Sequence, residues 1–167
     1  KIRTGGQNAI LVWKTATNAN PANDPPETIT IDNYGTITAA YNTVKIGATT
    51  TGATITNYSG GIIEATTDND DARAAVKIDA DDVTVINKGT ITADGEFSSI
   101  RLKNNITGTK IYVDEAASFT GEIHLGNNTS ASNSTLYLEC NISQDITIEV
   151  TKKSFATITN NLCGNDT

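Results

Sequence analysis

Histidine and tryptophan occur once each in this chain of 167 residues, cysteine twice, proline three times and methionine not at all. With His124 as the lone histidine, the Cys/His spacings of zinc sites are missing. Gly-x-Ser-x-Gly and phosphate-cradling glycine loops are missing too, so nucleophilic and zinc chemistry have no candidate residues. Aromatic residues make up 5% of the chain, which suits a narrow interior filled by Ile, Val and Ala better than a wide globular core. No apolar run approaches the length of a membrane-spanning helix. Twelve basic residues face nineteen acidic ones, for a formal net charge of -7, which argues against nucleic acid or an anionic membrane as the main partner. The chain opens at Lys1 without a signal-peptide pattern, so any targeting segment is expected to have been removed.

What is present is a phrase repeated between Thr28 and Val113. It reads TITIDNYGTITAA, then ATITNYSGGIIEA, then VTVINKGTITAD, each followed by VKI or IRL. A fourth copy, TKIYVDEAASFTGE followed by IHL, is degraded: Asp114 stands in the asparagine position and the glycine is gone. The landmarks Asn33, Asn57, Asn87 and Asp114 are spaced 24, 30 and 27 residues apart. Within each copy Ile, Val and Ala alternate with Thr, Lys and Asp at period two, the pattern of half-buried strands. Three short strands per repeat follow, with Asn and Gly at the corner, where the left-handed conformation is tolerated. Equivalent strands lie one repeat apart, so stacking builds parallel sheets: an all-β parallel β-solenoid with coils of about 25–30 residues.

The predicted inward columns are Ile31, Ile55, Val85 and Ile111; Ile37, Ile63, Ile91 and Phe119; and Ile46, Ile78, Leu102 and Leu125. Stacked amides of Asn33, Asn57 and Asn87 are expected to form a short ladder that ends at Asp114. Residues 28–134 carry the coils. Residues 1–27 read as a strand, cap and Pro-rich linker, with Trp13 as an end plug or, less simply, a ligand-stacking residue. Residues 135–167 read as atypical capping coils of the same domain. Cys140 and Cys163 fall there, about one coil apart, and a disulfide between them is one reading and two buried thiols the other.

The phrase x-I-x-N-x-G-T-I-x-A, with its excess of Thr, Asn, Ile and Ala, resembles the passenger domains of bacterial autotransporter proteins between about Thr28 and Leu125. The resemblance implies a right-handed parallel β-helix, and a secreted or cell-surface location.

Two clusters are candidate sites. Lys45, Lys77, Arg101 and His124 occupy the same outward position of the third strand in successive copies, about 5 Å apart per coil, and would hold an anionic glycan or acidic partner surface unless neighbouring carboxylates neutralise them. Asp68, Asp70 and Asp71 in an inserted loop, with Asp79, Asp81 and Asp82 at the next corner, offer oxygens to a hard cation such as calcium, or else form a solvated acidic loop. Several Asn-x-Ser/Thr triplets occur, including Asn57-Tyr-Ser and Asn141-Ile-Ser, in a chain rich in all three residues.

Three functions fit. The first is a non-catalytic extracellular or bacterial cell-surface stalk acting in adhesion or partner binding, its partner a host or neighbouring-cell surface protein or glycan. The second is a subunit that self-associates end to end into a filament or surface layer through its open strand edges. The third is a polysaccharide-active enzyme, which needs two carboxylates flanking a glycosidic bond; no such pair stands out.

Overall fold

A computed structural model describes residues 2–4, 8–13, 29–50, 52–66, 73–94, 98–126, 134–138, 148–149 and 156–160. All seventeen strands among them pair in parallel, and no helix occurs there. The first complete coil is β3 (Thr30–Asn33), β4 (Thr36–Ala39) and β5 (Asn42–Ile46). The second is β6 (Thr54–Asn57), β7 (Ile62–Ala65) and β8 (Ala74–Ile78). The third is β9 (Thr84–Asn87), β10 (Thr90–Ala93) and β11 (Ser98–Leu102), and the fourth is β12 (Lys110–Val113), β13 (Ser118–Thr120) and β14 (Glu122–His124). Below them lie β1 (Ile2–Thr4) and β2 (Asn8–Val12); beyond them come β15 (Ser134–Leu138), β16 (Ile148–Glu149) and β17 (Ala156–Asn160).

Three sheets result, one for each strand of the coil: β3-β6-β9-β12-β15-β17, β1-β4-β7-β10-β13 and β2-β5-β8-β11-β14-β16. The chain is therefore a parallel β-solenoid with three strands per coil.

Period-two alternation decides what fills the lumen. In the first sheet Ile31, Ile55, Val85, Ile111 and Leu136 stand in register. In the second, Ile37, Ile63, Ile91 and Phe119 do so. In the third, Ile46, Ile78 and Leu102 continue the row, with Leu125 buried just beyond β14. Ile55, Ile63, Ile78 and Ile91 are fully buried, and each such side chain contributes about 1.5–3 kcal/mol of transfer free energy. The outward positions hold Thr30, Thr54 and Thr84, β-branched residues that suit an exposed pleat.

The corner between first and second sheets departs from expectation in two ways. The residue in register with Asn87 is Val113, and Asp114 lies one step further, so valine rather than a carboxylate interrupts the row. Asp114 instead faces Lys88, Nζ to Oδ2 3.6 Å, and opens a four-residue turn, as long as that of the second corner, in which Ala117 N donates to Asp114 O.

The recurring glycines Gly35, Gly61 and Gly89 are not left-handed either; at the second corner that conformation belongs to Gly60, φ 77°. Close approach is what demands the other two. A Cβ on Gly61 would lie 2.5 Å from Asn57 Oδ1 and 2.7 Å from Asn33 O. One on Gly89 would strike the Gly61 carbonyl oxygen and sit 2.5 Å from Tyr58 O. At Gly35, in the first coil of the row, a Cβ would meet nothing within 4 Å.

Candidate functional site

The asparagines form a one-way ladder. Asn33 Nδ2 donates to Asn57 Oδ1 at 2.8 Å, and Asn57 Nδ2 donates to Asn87 Oδ1 at 2.8 Å. Each also bonds the backbone: Asn33 Nδ2 donates to Ile62 O and Asn57 Nδ2 to Thr90 O in the next coil, Asn57 Nδ2 donates to Gly61 O in its own, and the Gly35 and Gly89 amides donate to the Asn33 and Asn87 side-chain oxygens. Asn57 and Asn87 are fully buried, and Asn33 nearly so. Above Asn87 the valine offers no acceptor, and Asn87 Nδ2 is buried without a hydrogen-bond partner. This row is structural; the chemistry available to a ligand lies elsewhere.

The outer face of the third sheet is where charge gathers. Leu11, Lys45, Lys77, Arg101 and His124 stand in register on β2, β5, β8, β11 and β14. The structure separates the members of this row. Lys45 Nζ lies 3.4 Å from Asp79 Oδ2. His124, expected to face outward, is buried, with Nδ1 4.0 Å from Glu122 Oε1, so it does not extend the basic surface. Ser98 Oγ donates to the same Glu122 oxygen at 3.2 Å.

Lys77 and Arg101 are brought to one groove, and Lys103 joins them. Together with Asp79, Leu102 and Asn104 they line a groove of about 270 Å³. The groove is thus lined by three basic side chains and one carboxylate, Asp79, that faces Lys45, on a chain whose net charge is -7. Low-dielectric walls that concentrate one sign of charge focus the field on a small region. Sequence reasoning missed Lys103 and Asn104 because they follow the end of β11. The signal for Lys103 was its spacing, two residues beyond Arg101 and hence on the same side of the pleat.

A second row runs beside the first. The amides of Gly47, Asp79 and Lys103 donate to the carbonyls of Val12, Ile46 and Ile78, which sets Trp13, Gly47, Asp79 and Lys103 side by side in successive coils. Trp13 does not plug the lumen: it is 57% exposed, and its six-membered ring packs against Gly47.

The acidic corner is dispersed among internal partners. Asp81 Oδ1 accepts from the Thr107 amide at 2.6 Å and from Thr107 Oγ1 at 3.3 Å. Asp82 takes a left-handed conformation, φ 57°, with its carboxylate against Gly108. Among the described residues no three His, Cys, Asp or Glu side chains are grouped as a metal ion would need. Asp68, Asp70 and Asp71, and Cys140 and Cys163, lie outside the described residues.

Two aromatic pairs were also unforeseen. Tyr34 and Tyr58 stack at the first corner with centroids 4.1 Å apart, and Tyr112 and Tyr137 stack on the first sheet at 4.5 Å. Their signal was positional, since each pair occupies one place in consecutive coils. A hydrogen bond with the Tyr58 side chain pushes the exposed Tyr34 hydroxyl up to about 12 from its ordinary 10.0. No family model, curated protein or solved structure matches this chain.

Proposed function

We propose that this chain is a non-catalytic binding module, a secreted or cell-surface β-solenoid stalk acting in adhesion or partner binding. It takes an anionic ligand on the outer face of its third sheet. The observation that carries this reading is the convergence of Lys77, Arg101 and Lys103 on one groove of an otherwise acidic protein. A parallel solenoid supports it mechanically, because β5, β8 and β11 are each paired on both sides and the face keeps its shape. The groove's single lining carboxylate, Asp79, faces Lys45, whereas hydrolysis of a glycosidic bond ordinarily uses two carboxylates placed across it. The extracellular or surface location rests on the resemblance to autotransporter passengers.

Binding of polyglutamate and of oligogalacturonate to the full chain tests the reading. Wild type should bind at least one of them in a salt-sensitive manner, and Arg101→Gln combined with Lys103→Gln should weaken that binding about tenfold or more. Equal affinity in the double variant, with an unchanged circular dichroism spectrum, would reject the groove.

A further inference from the structure

We infer that the anionic ligand is an acidic polysaccharide of the polyuronate class, lying along the solenoid axis with one sugar ring against Trp13 and its carboxylates at Arg101 and Lys103. The inference rests on the anion-binding reading above and adds to it an aromatic subsite and a direction.

Three observations lead there. Trp13 stands at the head of the row that runs through Gly47 and Asp79 to Lys103. Glycine at position 47 clears its seat: a Cβ there would lie 2.7 Å from Trp13 Cε3 and 3.3 Å from Cδ2. The indole therefore lies on the sheet face while more than half of the residue stays open to solvent, at 57%, beside Leu11 at 53%. Large exposed apolar side chains that are held in place mark contact surfaces, and an indole face suits the C–H face of a pyranose.

Spacing supplies the second step. Three strand separations, roughly 14 Å, divide the coil of Trp13 from that of Arg101, and one separation, roughly 5 Å, is about the length of a pyranose ring. An extended polysaccharide along the axis meets one row of side chains per sugar. Lys45 and Asp79 lie between as an ion pair, leaving the carboxylates of the ligand to Arg101 and Lys103 in the coil at the far end.

The same face disfavours a peptide. Peptides that dock on sheets do so at an edge, through main-chain hydrogen bonds, whereas β5, β8 and β11 each have both edges occupied by neighbouring strands. Only side chains remain for recognition.

The chain has one tryptophan, so its fluorescence reports this subsite alone. Oligogalacturonate should change Trp13 emission saturably and shield it from acrylamide, with an affinity that falls as salt rises. In calorimetry Trp13→Ala should weaken oligogalacturonate about tenfold and leave polyglutamate unchanged. Neutral dextran should not bind. If oligogalacturonate binds without altering Trp13 emission and Trp13→Ala binds equally well, the sugar subsite is overturned while the groove reading stands. If polyglutamate matches oligogalacturonate in affinity and in its dependence on Trp13, the ligand is an acidic peptide instead. Binding of dextran as tight as that of the uronate, or no binding of either polyanion, overturns both readings.

Discussion

Asn57 Nδ2 lies 2.8 Å from Asn87 Oδ1 across a whole coil of backbone, and the asparagine that receives this bond has a donor with nowhere to go. The three amides are thus unequal although their sequence contexts look alike. Asn57 has partners on both sides and donates also to Gly61 O and Thr90 O. Its replacement by Ala is expected to cost about 1–3 kcal/mol more than removal of an exposed amide, and more than Asn33→Ala or Asn87→Ala. Denaturant midpoints of the three variants check the order; equal losses would show that the residues act only as local turn formers.

The glycines of the same corner should divide likewise. Gly61→Ala and Gly89→Ala push a Cβ into backbone carbonyls of the ladder and are expected to destabilise by about 1–3 kcal/mol. Gly35→Ala meets open space and should be neutral or stabilising by up to about 1 kcal/mol. Thermal melts of the three variants are the measurement, and a costly Gly35→Ala would contradict the argument.

Ile91 sits fully buried in the middle of the second-sheet row, between Ile63 and Phe119. Ile91→Asp places an isolated carboxylate in an apolar lumen and should cost several kcal/mol, enough to unfold the middle coils. A Tm near that of wild type would be incompatible with a dry interior.

Tyr34 offers a test by pH. Its hydroxyl is pushed up to about 12 by the hydrogen bond with Tyr58, so the folded state favours the neutral phenol. That contribution is fully present below about 10 and is lost as pH rises through about 12. In an ultraviolet titration of the five tyrosines, Tyr58→Phe should return one late-ionising phenol to the ordinary range.

Much of the fold was legible because period-two alternation is physically forced: a strand with one face in a dry lumen cannot shift by one residue without burying Thr or Lys. The same rule corrects the one misplaced register. Ile111 and Val113 alternate inward, which makes Val113 and not Asp114 the partner of Asn87, but a polar landmark outweighed the apolar spacing. The purpose of Gly61 and Gly89 was not legible, since a sequence states which residue occupies a corner and not which carbonyl lies beneath it. Trp13 was misplaced for a related reason: its seat is Gly47, in the next coil, and nothing local to Trp13 announces it. Of the candidate site, the row Lys45, Lys77 and Arg101 was readable from spacing, whereas the burial of His124 was not, since spacing states a residue's register and not what covers it.

The ladder gives the solenoid an arrow. Every amide passes its hydrogen bond the same way, so a coil bearing asparagine at this corner fits above any other that does. Deleting residues 54–83 would set Asn33 beneath Asn87 and Ile37 beneath Ile91, two pairs of the kind that already exist. The middle coil is in this sense a cassette, gained or lost by duplication or excision without redesign of its neighbours. A coil with valine at that corner accepts nothing from below, so the fourth closes the run of exchangeable units.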